Sequence, residues 1–497
     1  MTDMLKKARE FEEAQEKLVP QELRPVLHFS PRIGWLNDPN GFSYYRGQYH
    51  LFYQYYPYDS HWGPMHWGHA VSRDLISWTY LPCALAPEGE GSGGCFSGSA
   101  VPYGDGRQLL MYTQAEFDPA VRNRHTNQTQ GVALGDGLNY VKYDGNPVLT
   151  SEDVPGGNDP HQFRDPWLWK NRDGEFRVLT TGYDPADEYA RLLLFGSEDG
   201  LHWRFRKVFL QNRGKVGRLW ECPSFFPLGD RWALIASAMF MQPKGELSPG
   251  NGAFGLVGTY EEEMESFRPE SIQAVDGGID FYAAQVLKTA DGRTVMIAWM
   301  MNQEISDIRS EELPIHGQMI IPRELSLRDG RICQRPVREL DLCRQNRVQH
   351  QGVELSEAGI RLPGIRGRIL DLELCIHSQD AEEISIRFAE DSRFYTECAV
   401  LPRKGRIRVD RSRSGTRNAA LLCREADLIH TGREIRLRIV LDRWSAEIFI
   451  NDGEQVMTLT FHTELTAQDI SFRARGQAKI DVTGYTLDPT RIRETKE

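Results

Sequence analysis

The sequence lacks any stretch of about 20 consecutive apolar residues, which excludes a bilayer-spanning helix. Its first twenty residues, MTDMLKKAREFEEAQEKLVP, are charged throughout and lack the apolar core of a secretory signal. They read as a short helix stopped by Pro20, and a cytoplasmic address is expected. Positive charge is also in short supply. The formal net charge is −11 and the Lys and Arg residues are scattered. An acidic chain gains nothing electrostatically from nucleic acid or an anionic membrane, so neither is expected as a partner. There is no CxxC pair and no metal-ligand spacing among the eight cysteines (Cys83, Cys95, Cys222, Cys333, Cys343, Cys375, Cys398 and Cys423). They lie beside apolar residues, and buried free thiols in a reducing compartment are expected. The NQT at Asn127 is an acceptor pattern only for a secreted chain and reads as idle. Long 3.6-residue periodicity is missing as well, which argues against βαβ crossovers.

What the sequence does contain is strands and turns. At 497 residues it is too long for one ordinary core, and two domains are the expectation. Residues 25–333 are a series of strand-length apolar segments such as QYHLFYQYYP, QLLMYTQ, FRVLTTGY, RWALIASAMF, GAFGLVGTY and TVMIAWM, each flanked by turn residues. Similar phrases return at wide spacing: SRDLISWTYLPCALAP, LGDGLNYVKYDGNPVL and GSEDGLHWRFRKVFL. Each joins a Gly- or Asp-bearing turn to an aromatic and a following strand. Such recurrence predicts a β-propeller, with a site on its central axis. Residues 334–350 read as a connector, and residues 351–497 as a second all-β domain, a β-sandwich, with a hairpin turn at the NDG of 451–453. Residues 1–24 form an N-terminal helical extension.

Three of the 70 acidic residues stand apart. Asp38 lies in WLNDPNG, where Pro39 fixes the backbone and Asn40-Gly41 turns it. The same context would suit a turn-capping aspartate. Asp165 lies in HQFRDPWLW, where Arg164 either holds it ionised or forms a structural salt bridge with it. Glu221 lies in RLWECPSFF, flanked by Trp220 and Cys222, where burial is expected to raise its pKa as a general acid requires. The three fall in different strand clusters, and a propeller brings its innermost strands together. Such a set suits cleavage of a glycosidic bond, in which one carboxylate attacks or activates water and another protonates the leaving oxygen. Metal binding is the competing use of clustered acids. No His-x-x-x-His and no Asp-rich loop lies beside them, so no metal and no cofactor is expected.

Five motifs taken together, WLNDPNG, FSGSA (96–100), FRDP (163–166), WECP (220–223) and GGIDFYAAQ (277–285), resemble glycoside hydrolase family 32. This is the family of invertases, sucrose-6-phosphate hydrolases, inulinases and levanases. DRWSAEIFINDG (442–453) is similar to the family's C-terminal motif, so the likeness spans nearly the whole chain. The resemblance implies a five-bladed propeller followed by a β-sandwich. It also implies roles: Asp38 as nucleophile, Glu221 as acid/base and Asp165 as transition-state stabiliser. Asn37, Gln54, Trp62, Phe96, Ser97 and Arg164 match positions lining the family's fructose pocket, and Trp299 is a looser match. Departures are Leu36 where Met is frequent, Trp167 where Lys is common in the bacterial sucrose-6-phosphate enzymes, and Trp444 where a small residue is usual.

The expected activity is a retaining β-fructofuranosidase of invertase type, acting on sucrose and short fructo-oligosaccharides. Alternatives are a sucrose-6-phosphate hydrolase, a fructosyltransferase on the same fold, and a propeller that binds carbohydrate without cleaving it. Trp167 counts against a phosphorylated substrate, whereas Arg122, Arg124 and His125 could supply a phosphate patch. Oligomeric state is left open.

Overall fold

The computed structural model describes residues 2–89, 92–117, 125–301, 313–378, 380–415, 421–430, 432 and 434–494. Five antiparallel sheets follow one another along the chain. Their first strands are Gly34–Tyr45, Ser92–Pro102, Arg164–Lys170, Leu219–Leu228 and Tyr282–Lys288. Each of these adjoins the first strand of the next sheet, and the fifth returns to the first, closing a ring. This is a β-propeller with its site-bearing strands on the axis. Ile315–His316 pairs in parallel with Gly34 and Trp35 of the first sheet, tying the fifth sheet to it.

The recurrent phrase of the sequence is the turn between third and fourth strands of three successive sheets. Asp74 Oδ1 accepts from Ile76 N and Ser77 N at 2.9 and 2.6 Å. Asp136 Oδ1 does the same for Leu138 N and Asn139 N, at 3.0 and 2.8 Å. Asp199 Oδ1 repeats it for Leu201 N and His202 N, at 2.9 and 2.8 Å. The residue after each aspartate is left-handed: Leu75 at φ 67°, Gly137 at 96° and Gly200 at 74°. A short acceptor side chain that bonds its own backbone two and three residues on is what sets this turn.

The N-terminal helix, Asp3–Gln15, covers an edge that would otherwise be open. On the outermost strand of the first sheet, Trp78–Leu85, Cys83 N donates to Glu12 Oε1 at 2.8 Å. Arg9 Nε donates to Cys83 O at 2.9 Å. Burial pushes the Glu12 carboxyl up to about 7 despite Arg32 at 3.3 Å.

The C-terminal part packs a six-stranded sheet on a five-stranded one, a β-sandwich. The stretch 334–350 is not a free connector. Arg331–Pro336 is the outer strand of the fifth propeller sheet, Arg338–Cys343 is a 3-10 helix, and Arg344–Leu355 is the edge strand of the six-stranded sheet. Buried charges join the two parts. His28 lies between Asp442 and Glu447, at 2.9 Å from each. Arg323, fully buried, donates through Nε to Glu447 at 2.8 Å and pairs with Asp276 at 3.1 Å. Arg411 reaches Asp280 at 2.6 Å. The NDG turn seats against the propeller, where Gly453 O accepts from Gln334 N at 2.9 Å. A Cβ at Gly453 would lie 1.6 Å from Gln334 O, so only glycine fits. Of the cysteines, Cys375 is half-buried and Cys423 exposed, contrary to expectation, while the other six are buried and all are unpaired.

Candidate active site

All five axial strands are irregular at the same end. Their ladders slip between Leu36 and Pro39, Phe96 and Gly98, Arg164 and Trp167, Glu221 and Ser224, and Tyr282 and Gln285. A β-bulge adds a residue, bends the strand and re-aims the side chains beside it. Three residues at these slips are left-handed although none is glycine: Asp165 at φ 57°, Cys222 at 48° and Ala283 at 54°. The axial end of the propeller is thus lined by Asn37, Asp38, Ser97, Arg164, Asp165, Glu221, Cys222 and Tyr282.

Asp38 is held from several sides. Ser97 Oγ donates to Oδ2 at 2.7 Å and Asn37 Nδ2 to Oδ1 at 3.0 Å, while Asn37 Oδ1 accepts from Trp35 Nε1 at 2.7 Å. The Cys222 thiol lies 3.4 Å from Oδ2. Burial pushes the Asp38 carboxyl up, the bonds from Ser97 and Asn37 pull it back, and the neighbouring Glu221 charge adds to the rise.

Asp165 is only 5% exposed. Its Oδ2 accepts from Cys222 N at 2.9 Å, and its own N donates to Thr113 Oγ1 at 2.9 Å. Burial raises this carboxyl as well, with Arg164 opposing and Glu221 reinforcing. The Arg164 guanidinium leans the other way. Nη2 donates to Glu221 Oε1 at 3.0 Å, whereas Nε stands 3.8 Å from Asp165 Oδ2. Its sequence neighbour is therefore the weaker partner. Gln162 and Gln128 hold the other end, accepting from Nη1 at 2.5 and 3.3 Å. Tyr282 Oη donates to Glu221 Oε2 at 2.5 Å. Burial and the Glu221 charge hold the Tyr282 phenol well above its ordinary pKa, so it remains a donor.

The remaining expected residues divide. Trp62 is half-buried and meets Phe96 and Phe117 edge-on, at 6.2 and 5.6 Å between centroids, forming an aromatic wall beside Ser97. Gln54 is buried and donates to Cys95 O at 3.0 Å. Trp299 is 2% exposed and tilted against Trp35 at 6.3 Å. It stands behind the wall of the site instead of offering a face to a sugar. Trp167 is buried too, its indole donating to Phe225 O at 3.0 Å. It packs away from the axis and so says nothing about phosphate. Arg122 and Arg124 lie outside the described residues, as does the side chain of His125. Cys222 and Tyr282 were not singled out from the sequence, although both sit inside quoted motifs. Their signal was the bulge, which local composition does not announce.

Desolvation thus raises the carboxyls of half-buried Asp38 and buried Asp165, and the Glu221 charge adds to both rises while Arg164 opposes the rise at Asp165. Carboxyls raised in this way keep a proton to higher pH than isolated carboxylic acids would.

Comparison with known proteins agrees in extent and kind. Residues 28–336 match the glycosyl hydrolases family 32 N-terminal domain, and residues 339–487 the family 32 C terminal. A sucrose-6-phosphate hydrolase of Zymomonas mobilis is 36% identical over 89% of this chain and 88% of its own. A levanase of Bacillus subtilis is 33% identical over 94% of this chain and 70% of its own. The solved β-fructofuranosidase of Bombyx mori superposes with a TM-score of 0.81 at 32% identity, covering 97% of both chains. With both domains matched end to end and the carboxylates gathered on the propeller axis, the chain belongs to glycoside hydrolase family 32 and is a glycoside hydrolase of the fructosidase kind.

Proposed function

We propose that the protein is a retaining β-fructofuranosidase that removes a terminal fructosyl unit from sucrose and short fructo-oligosaccharides. The observation that carries this reading is the convergence of Asp38, Asp165 and Glu221 from three propeller sheets, linked through Cys222 and Arg164. An Asp38 oxygen attacks the anomeric carbon of the fructosyl unit as the bond to the leaving oxygen breaks. Glu221 gives its proton to that oxygen. Water, deprotonated by Glu221, then attacks the same carbon, releasing fructose and restoring the Asp38 carboxylate. Asp165 holds ring hydroxyls and its negative field favours the oxocarbenium-like transition state. Tyr282 and Arg164 position Glu221, and the Trp62–Phe96 wall is the sugar's apolar contact. Carboxylate chemistry of this kind calls for no cofactor. The eight unpaired cysteines support a reducing, cytoplasmic setting.

Sucrose 6-phosphate is the second reading, favoured by several relatives that are sucrose-6-phosphate hydrolases, the Zymomonas mobilis protein among them. The deciding experiment compares kcat/KM for sucrose, sucrose 6-phosphate, 1-kestose and inulin on the purified chain. Turnover of sucrose and kestose with little on inulin is expected. A dedicated phosphate site adds charge-assisted hydrogen bonds of roughly 1.5–3 kcal/mol each, a preference of about tenfold or more. A preference of that size for the phosphorylated sugar would replace the first reading with the second. Inactivity on all four sugars would overturn both.

A further inference from the structure

The outer face of the six-stranded sheet carries a cluster of unlike donor side chains far from the propeller axis. In the strand Leu370–Ser378, Leu374 and Ile376 are buried at 3% and 0% exposure. Side chains alternate across a strand, so Cys375 and His377 share the opposite face. The ladder sets Glu434 opposite His377 and Arg436 opposite Cys375 on one side. On the other side it sets Lys479 opposite His377 and Asp481 opposite Cys375. The Cys375 sulfur, a His377 ring nitrogen and a Glu434 carboxylate oxygen lie within 4.8 Å of one another, and no other such trio occurs among the described residues.

Two of these three donors are already oriented by a neighbour. His377 Nε2 lies 3.1 Å from Asp481 Oδ2, and Arg436 Nη2 donates to Glu434 Oε1 at 2.7 Å. A carboxylate behind an imidazole fixes its tautomer and strengthens it as a ligand, the usual second partner of a metal-bound histidine. Lys479, the other nearby cation, is drawn off to Glu354 at 3.0 Å.

We propose that Cys375, His377 and Glu434 form a binding site for a borderline-soft divalent cation, zinc in the first instance, with Asp481 as positioning residue. A thiolate, an imidazole and a carboxylate are a tetrahedral zinc set with one position left to water. Calcium and magnesium require mostly oxygen ligands and do not fit it. Binding displaces the Cys375 proton to solvent, and the thiolate and carboxylate together balance the charge of the ion.

The test uses the full chain, stripped of metal, and reads binding directly by titration with Co2+ and by competition of Zn2+ against a chromophoric chelator. A thiolate-to-cobalt charge-transfer band in the near ultraviolet, saturating at one equivalent, is the expected result. Cys375→Ser abolishes the band and His377→Ala weakens Zn2+ binding at least tenfold. Asp481→Asn weakens it about 10-fold or more, as loss of an outer-shell partner does. Zn2+ raises the Tm of the parent chain by mass action but not that of Cys375→Ser. All variants keep parental sucrose turnover, since none touches the axial site, and the Zn2+ effect on Tm is read for each against its own metal-free Tm. Cys423 is the exposed thiol and serves as the control. Cys423→Ser leaves the band intact. Absence of the band, its survival in Cys375→Ser, or its loss in Cys423→Ser would each overturn the proposal.

Discussion

Replacing His28 by Gln tests how the two parts of the chain are held together, and its effect has a definite dependence on pH. His28 is 4% exposed, with Asp442 and Glu447 each at 2.9 Å and neither side chain open to solvent. Burial alone would lower its pKa, but the two carboxylates outweigh burial and raise it from 6.5 to about 9. The folded state therefore holds a proton that the unfolded chain releases. That contribution to stability is complete below pH 6.5 and is lost as pH rises through about 9. A shift of that size corresponds to about 3 kcal/mol. Asp442 is held down to about 2 against burial by the same imidazolium and by the amides of Val26 and Leu27, so its shift and that of His28 share one interaction and do not add.

His28→Gln also leaves buried Asp442 without its cation, while Glu447 keeps Arg323, a loss of about 3–5 kcal/mol at a pH where the histidine is charged. The assay is urea unfolding of parent and variant at pH 6 and pH 9.5, followed by tryptophan fluorescence. Both chains carry the same other titrating groups, so the difference between them isolates His28. That difference is expected to be largest at pH 6 and smaller by about 3 kcal/mol at pH 9.5. A difference that does not change with pH would refute the charged-histidine account, even if the variant were much less stable.

Three further outcomes follow from the axial site. Asp38→Ala lowers kcat on sucrose by about a thousandfold or more with the fold intact, because the atom that bonds the fructosyl unit is gone; retention of a tenth of parental kcat in a variant of unchanged circular dichroism would end that role. Glu221→Gln slows sucrose far more than an activated aryl fructoside, whose leaving group departs with little protonation. Equal losses on both substrates would make Glu221 structural. Asp165→Asn abolishes activity yet raises Tm at pH 7, since ionising a carboxyl whose folded pKa is raised from 3.8 opposes folding increasingly as pH rises above that value. The gain should vanish near pH 4, and a lower Tm at pH 7 would contradict it.

The trio was legible because each acid sits in a short motif that also carries its own geometry: a proline after Asp38, another after Asp165, apolar flanks around Glu221. The repeated turns were legible for the same reason, since Asp74, Asp136 and Asp199 bond amides only two and three residues away. What failed was pairing at a distance. Arg164 adjoins Asp165 in sequence but bonds Glu221 from another sheet, and nothing local distinguishes the two partners. His28 and Asp442 meet across 414 residues. The tryptophans are a different case. Trp167 follows the FRDP motif, yet its indole is taken up by Phe225 O of the next sheet, and Trp299 lies on a neighbouring strand against Trp35, contacts that no local pattern announces.

The bulges explain why these two kinds of residue lie so close together. In a regular strand, consecutive side chains face opposite ways, and an axial strand could present only every second residue to the site. One added residue per strand breaks that alternation. It lets Arg164 and Asp165 reach the same cluster, and likewise Glu221 with Cys222. The left-handed backbone at Asp165 and Cys222 is the cost, of order 1–3 kcal/mol for each non-glycine residue. Backbone bonds at these points offset part of it: Cys222 N donates to Asp165 Oδ2 and Asp165 N to Thr113 Oγ1. The same residues thus carry strain, desolvated charge and the reacting groups. Gly at 165 or 222 would relax the backbone but lose either the carboxylate or the thiol beside Asp38. Stability gained at these positions is therefore expected to come out of catalysis, whereas stability gained in the sandwich core is not.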